Sequence, residues 1–307
     1  MAEPALVIGL GEVLWDMLPS GKVLGGAPAN FAYMANVLGD KGIIASRVGT
    51  DSLGVEACTA IQDLGLDILY IQRDEAHDTG AAKVTIDSSG QPNFTIEQAV
   101  AWDYLQWSPE WEELSARADV ICFGSLAQRS PVSAATIDRF LANTREDALR
   151  VFDANLRQSF YTRDALCQSF QNADIVKIND IELLQLSRLF NLGTGSNESL
   201  ARTLLEDFDL KLVCLTRGAR GSLLVSKNQA AEHPGFRVKV ADAVGAGDAF
   251  TACLVHHYIR GYSLQEISDF ANRFASWVAT QTGATPPVSS GQLRQILATV
   301  PDIGGER

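Results

Sequence analysis

The sequence predicts an α/β sandwich, a mainly parallel sheet with helices on both faces. Two observations carry that expectation. Short apolar runs alternate along the chain with longer segments of helical period. The 307 residues, 46% of them hydrophobic, are enough to build a large core. Candidate strands are Ala5–Leu10, Ile43–Val48, Asp119–Phe123, Arg150–Phe152, Asp174–Lys177 and Lys211–Leu215. Between them, Pro28–Leu38, Leu53–Leu64, Val132–Asn143, Arg163–Phe170 and Ile181–Leu189 carry the 3.6-residue period of helices.

Two stretches break this rhythm, residues 12–24 and 81–97. In the second, Lys83–Asp87 and Asn93–Glu97 alternate about a turn at Ser88, Ser89 and Gly90, so the two stretches are expected to form a small β-structured lid. Short extended pieces are expected at Leu223–Ser226 and Phe236–Val240. Helices then follow at Gly247–Arg260, Leu264–Gln281 and Gly291–Ala298. Ser263 with Glu266 three residues later forms the capping-box pattern at the start of the second of these. With no repeat or linker-like tract, the whole chain, 1–307, reads as one body with an inserted lid.

Charge narrows the function. With 25 Lys and Arg against 37 Asp and Glu, the formal net charge is −12. A nucleic acid or an anionic membrane held by bulk charge would need a basic surface, so neither is an expected partner. An anionic ligand must be caught locally. The five cysteines (Cys58, Cys122, Cys167, Cys214, Cys253) are widely spaced without a CxxC pair, which implies a reduced, cytoplasmic protein. The apolar run Ala5–Leu10 is too short for a signal peptide, and no segment nears the roughly 18 apolar residues of a membrane span. His77, His233, His256 and His257 lack the i, i+4 spacing of a helical metal pair.

The stretch from Asp242 to Phe250 carries the clearest chemistry. Gly245, Ala246 and Gly247 stand at a loop-to-helix junction, where backbone N–H groups turn toward a ligand and the helix dipole adds partial positive charge. Asp248, in the first helical turn, would sit beside a phosphoryl group held there, as a general base must. A helix-capping acid on an ordinary turn accounts for the same residues equally well. A second cluster, Gly25-Gly26-Ala27-Pro28-Ala29-Asn30, opens another helix. There paired glycines permit close approach, and the Asn30 carboxamide suits a hydroxyl-rich molecule; Pro28 at the first helical position after a flexible turn is the plainer reading. Leu14 stands where a dinucleotide fingerprint needs glycine, and no GxxxxGK[ST] loop occurs.

With both glycine clusters in this order on an α/β frame, the chain resembles the ribokinase-like (phosphofructokinase B) family of carbohydrate kinases, over nearly its whole length. The N-terminal signature matches Gly25 to Gly54, through Asn30 and the Arg47–Asp51 run; the C-terminal one matches Asp242 to Leu254. The resemblance implies a ribokinase-like three-layer α/β/α sandwich with a β lid. It implies Asp248 as catalytic base and the backbone of Gly245, Ala246 and Gly247 as the anion hole. Asp16 and Asn30, with the Gly25-Gly26 backbone, would bind sugar hydroxyls.

Asn179 and Glu182 match the family's N-x-x-E motif, which acts on magnesium and phosphate through water. Without the family, Asn179 reads as a helix N-cap. Leu215–Gly221 resembles the nucleotide site, so Thr216, Gly218 and Gly221 are assigned to ATP, as are Lys177 and, on the penultimate helix, Asn272. Arg217 and Arg220 in that loop read as solvated. The run Asp153-Ala154-Asn155-Leu156-Arg157 resembles the D-x-N-x-R segment of the fructokinase and 2-keto-3-deoxygluconate kinase branches. Arg157 is assigned to the substrate, although its guanidinium fork suits a phosphate as well. Ala243 departs from the Thr or Pro usual after Asp242, which bears on a monovalent-cation site, such as one for K+, near Asp242 and residues 282–285.

The resemblance therefore implies an ATP- and Mg2+-dependent kinase acting on a primary hydroxyl of a small sugar. It is most like the fructokinases, forming fructose 6-phosphate. The same pattern partly fits 2-keto-3-deoxygluconate kinases, ribokinases and nucleoside kinases, and a non-catalytic sugar-binding regulator is the rival from another class. An exposed lid edge would allow a homodimer through the lid.

Overall fold

The computed structural model describes residues 3–18, 21–86 and 92–298. In chain order its strands are β1 Leu6–Leu10, β2 Leu14–Leu18, β3 Gly21–Gly25, β4 Lys41–Gly49, β5 Ile71–Asp74, β6 Gly80–Ile86 and β7 Pro92–Ile96. They continue with β8 Val120–Gly124, β9 Leu149–Asp153, β10 Ile175–Asn179, β11 Leu212–Thr216, β12 Ser222–Val225 and β13 Ala230–His233. The helices are α1 Ala27–Leu38, α2 Ser52–Asp63, α3 Pro109–Arg117, α4 Pro131–Ala142 and α5 Arg163–Gln171, then α6 Asp180–Phe190, α7 Asn197–Asp207, α8 Ala246–Tyr258, α9 Leu264–Ala279 and α10 Ser290–Ala298.

Nine strands form the central sheet in the order β13-β12-β11-β10-β9-β8-β1-β4-β5. Pairing is parallel from β5 through β11 and antiparallel only at the β12 and β13 edge. Side chains of alternate parity leave a strand on opposite faces. Ile8, Leu10, Val213 and Leu215 accordingly join one core with Trp111, Phe140 and Phe170 from α3, α4 and α5. Val7, Leu212 and Cys214 join the other, with Phe31, Phe250, Leu254 and Phe274 from α1, α8 and α9. Both faces are covered, which explains why these strands read as continuous apolar runs. This is the three-layer α/β/α sandwich expected.

A second sheet, in the order β3-β2-β6-β7, stands apart from the first. β2 pairs antiparallel with β3 and parallel with β6, and β6 pairs antiparallel with β7. The expected turn at Ser88, Ser89 and Gly90 lies outside the described residues. One expectation fails at the sheet edge: Phe236–Val240 is irregular, and the partner of β12 is β13 upstream of it. Pro234 cannot donate to a ladder, and Gly235 turns the chain away at φ 80°. The short edge strand β5 and the helices α3 and α7 were not anticipated, although Ser108 and Ser196 cap the two helices through their side chains.

The expected capping box of α9 is present, with Ser263 Oγ accepting from the Glu266 amide and Glu266 accepting from the Ser263 amide at 2.9 Å. Among the described residues, no helix is long and apolar enough to cross a membrane.

Candidate active site

Parallel strands deliver their carboxyl ends to one edge of the sheet, where open α/β sheets bind ligands. Glu12 follows β1, Ser125 follows β8, Asp153 ends β9, Asn179 ends β10 and Thr216 ends β11. Helices α1 and α8 pack side by side on this edge and bring the two glycine clusters together.

Gly245, in the left-handed region at φ 77°, makes the turn into α8 and provides no side-chain cap. Its neighbour Ala284 leaves no room for a side chain, since a Cβ would stand 2.6 Å from the Ala284 backbone. The amides of the first helical turn therefore face outward with no side-chain acceptor, as an anion cradle requires. Asp242 holds the preceding loop, accepting from the amides of Val244 at 3.0 Å and Gly283 at 3.2 Å. The replacement at Ala243 leaves this frame intact.

Asn30, on α1, donates from Nδ2 to Asp248 Oδ2 at 2.8 Å. One hydrogen bond thus links the glycine cluster that opens α1 to the one that opens α8. Burial pushes the Asp248 carboxyl up to about 6, Asp153 adds repulsion, and Asn30, Lys177 and Arg157 pull the other way. Asp16 lies over Gly25, where a Cβ would stand 2.5 Å from its Oδ2, so a side chain there would displace this carboxylate. Burial also raises the Asp16 carboxyl, against the opposing charge of Arg157. Arg157 is exposed and faces Asp16, Glu12 and Asp248 electrostatically.

Two residues assigned to ATP are committed elsewhere. Lys177 is buried in a salt bridge with Asp153, its Nζ 3.0 and 3.1 Å from the two carboxylate oxygens. Burial alone would lower its pKa, but Asp153, Glu182 and Asp248 more than reverse that and hold the ammonium charged. A Cβ on Gly247 would stand 3.2 Å from this Nζ, so the charge lies directly behind the cradle rather than in the open cleft. Asn272 is buried between α9 and β12, its Nδ2 donating to Ser222 Oγ at 2.8 Å and to the Ser268 carbonyl at 2.7 Å. Its amide nitrogen is committed to packing between these elements.

Thr216 ends β11, and Gly218 and Gly221, both at positive φ, follow in the next turn. Arg217 is not solvated: it pairs with Glu232 at 2.6 Å and donates to the Ser222 carbonyl at 3.1 Å. Arg220 pairs with Asp180.

Asn179 and Glu182 form a reciprocal capping box on α6, the Asn179 side chain accepting at 2.9 Å and the Glu182 carboxylate at 2.7 Å. The other Glu182 oxygen accepts from the Leu156 amide at 2.8 Å, which ties the Arg157 loop to α6. Burial raises the Glu182 carboxyl. With its carboxylate held by backbone donors, Glu182 fits a magnesium ion carried chiefly by phosphate oxygens and water, as that ion prefers. Among the described residues no cluster of three His, Cys, Asp or Glu is arranged for a metal.

From the sequence, Glu12 and Thr251 carry no assigned role, and Asp153 stands only as the first residue of the D-x-N-x-R run. Glu12 is 4% exposed, and its Oε2 has no hydrogen-bond partner. Burial raises its carboxyl to about 7, and Arg157 opposes this. It shares a small cavity with Asp153, Asp248 and Thr251. Thr251 Oγ1 donates to Asp153 at 3.0 Å. Glu12, beside Gly11 just after β1, does not differ in sequence from an ordinary loop acid, and Thr251, inside α8, carries no signal of its own.

Fold and site together define a sugar kinase. The model of the pfkB family carbohydrate kinases matches residues 20–290, and the chain belongs to that family. Among curated relatives, a fructokinase of Escherichia coli is 30% identical, covering 90% of this chain and 93% of its own. Fructokinase-2 of Oryza sativa subsp. japonica is 28% identical over 96% of this chain and 94% of its own. A sugar kinase structure from Pyrococcus horikoshii aligns with a TM-score of 0.79 at 26% identity, covering 95% of this chain and 100% of that one. A fructokinase from Xylella fastidiosa with bound ATP shares the fold, with a TM-score of 0.82 at 21% identity over 97% of this chain and 99% of that one.

Proposed function

We propose that the protein transfers the γ-phosphoryl group of ATP to the 6-hydroxyl of fructose. The observation that carries this reading is the Asn30–Asp248 hydrogen bond, which sets a raised carboxylate between an acceptor-side cluster and an anion cradle. The Asp248 carboxylate takes the proton of the primary hydroxyl. That oxygen then attacks the γ-phosphorus in line, and the bond from phosphorus to the bridging oxygen breaks to release ADP. Amides of Gly245, Ala246 and Gly247 donate to the oxygens of the transferring group, and Lys177, held behind them by Asp153, adds fixed positive charge. Asp16 and Asn30, with the Gly25-Gly26 backbone, orient the acceptor. Asn179 and Glu182 would hold magnesium through water, and the ion supplies charge neutralisation on the phosphates.

The cleft sets three carboxyl groups, Glu12, Asp16 and Asp248, around the Arg157 guanidinium, so acidic groups outnumber it. That balance favours a neutral sugar over a sugar acid. The fructokinases among the relatives favour fructose in particular. The lid, residues 12–24 and 81–97, closes over the sugar and excludes water that would otherwise hydrolyse ATP. Its edge strands β3 and β7 offer unpaired backbone to a second copy, and a homodimer through the lid follows from that. Asp242 and the 282–285 loop it contacts are the place for a monovalent cation such as K+.

ADP release coupled to magnesium-ATP, measured across fructose, ribose, 2-keto-3-deoxygluconate, glucose and common nucleosides with a no-acceptor control, tests the reading. Release with fructose alone supports it. Preference for another acceptor keeps the mechanism and overturns the substrate, and silence with all of them favours a sugar-binding protein without turnover.

A further inference from the structure

Strand β2 sits inside the lid sheet, between β3 and β6, and its successive side chains leave on opposite faces. Cross-strand partners share a face, so Asp16 stands with Val23 and Ala82, and Trp15 stands with Leu24 and Ala81. Leu14 and Ala82 accordingly join the core that holds Trp111 and Phe140, whereas Trp15 and Ala81 join the one that holds Phe31 and Ile61. Trp15 is 6% exposed, and its indole Nε1 donates to the Leu53 carbonyl of α2 at 2.9 Å. A buried indole N–H left without a partner is costly, so this bond selects one seating of the strand on the helix.

The neighbouring lid strands are rooted at the same end of α2. Asp51, its N-cap, accepts at Oδ1 from the Thr79 hydroxyl at 2.5 Å and from the Thr79 amide at 3.3 Å. Thr79 immediately precedes β6 and is 1% exposed, and its Oγ1 accepts in turn from the Gly49 amide at 2.9 Å. Lys22 of β3 pairs with Glu56 of α2 and lies 5.1 Å from the Trp15 ring centroid. Water reaches both partners of that ion pair, so it adds little to the hold. Asp51, Leu53 and Glu56 thus each receive one part of the lid, and the Trp15–Leu53 bond is the one made by the strand that carries Asp16.

We propose that Trp15 is a positioning residue for the acceptor: its bond to α2 fixes the rotation of β2, and with it the aim of the Asp16 carboxylate on the opposite face. The inference rests on the acceptor role of Asp16 proposed above. A hydroxyl that Asp16 orients is held alike before and during transfer, so slack in β2 weakens acceptor binding and leaves the saturated rate nearly intact.

Trp15→Phe keeps an aromatic ring and removes the donor. Steady-state kinetics with fructose and magnesium-ATP form one arm of the test, and hydrogen–deuterium exchange of the substrate-free protein forms the other. The expected kinetic result is a KM for fructose raised about tenfold, with kcat and the KM for ATP within about twofold of the unaltered protein. Amides of residues 14–18 should exchange about fivefold faster or more, while those of β1 and α1 keep their rates. An unmoved KM for fructose overturns the proposal, and so does a loss shared equally by kcat and both KM values, which marks a general packing defect. Exchange unchanged at 14–18, or raised throughout the chain, overturns it as well. The exchange arm needs no acceptor: an unaltered protein that does not turn over fructose refutes the substrate reading by itself, while exchange still judges the seating of β2.

Discussion

Replacing Glu12 by Gln removes a carboxyl that the fold holds in an unfavourable place. Burial raises its pKa from 4.5 to about 7. A group raised in the folded state contributes stability that is fully present below its unfolded pKa and lost as pH rises through the folded one. For Glu12 that window runs from 4.5 to about 7. At about 1.36 kcal/mol per unit, the ionised side chain costs the folded state about 3 kcal/mol at pH 8.5, but under about 1 kcal/mol at pH 5. The pH-dependent part of the Glu12→Gln effect is therefore a relative gain of about 2–3 kcal/mol on going from pH 5 to pH 8.5.

Denaturant unfolding of both proteins at the two pH values measures this. The double difference cancels any constant cost of fitting an amide into the same space. A Glu12→Gln effect equal at both pH values would refute the reasoning, because Glu12 would then be solvated or paired.

Asn30→Ala deletes the donor that holds the Asp248 carboxyl down, so the Asp248 pKa should climb beyond about 6. Activity needs the carboxylate and is lost as pH falls through that pKa, so the acid limb of kcat/KM should move up by about 1 unit; an unmoved limb argues against Asp248 as base. Gly245→Ala forces a side chain at φ 77° against Ala284, and unfolding should report a loss of about 1–3 kcal/mol together with impaired turnover. Lys177→Met strands the Asp153 carboxylate and should cost about 3–5 kcal/mol, most of it recovered by adding Asp153→Asn. A stable Lys177→Met protein whose only defect is a raised KM for ATP would instead make Lys177 a direct nucleotide ligand.

What could be read from the chain alone was local. Strand and helix positions followed from apolar period. Gly245, Gly247 and Pro28 marked helix starts, because backbone conformation depends on a few consecutive residues. Ser263 with Glu266 announced a capping box that needs only three-residue spacing, and Asn179 read as a helix N-cap, which it is. Failures of the same reasoning were also local. Phe236–Val240 has the composition of a strand, but the sheet edge was already taken by β13.

Partnership and ionisation were decided only by the tertiary structure, because both depend on segments distant in sequence. Asn30 meets Asp248 across 218 residues, and Thr251 meets Asp153 across 98. Lys177 and Asn272 are suitable types for a nucleotide contact, yet Asp153 and Ser222 claim them inside the fold. Glu12 looks like any loop acid until the sheet and α1 close around it. A residue's type states which bonds it can make; the packing of remote elements determines which remain to be made and how much water is left to compete for them.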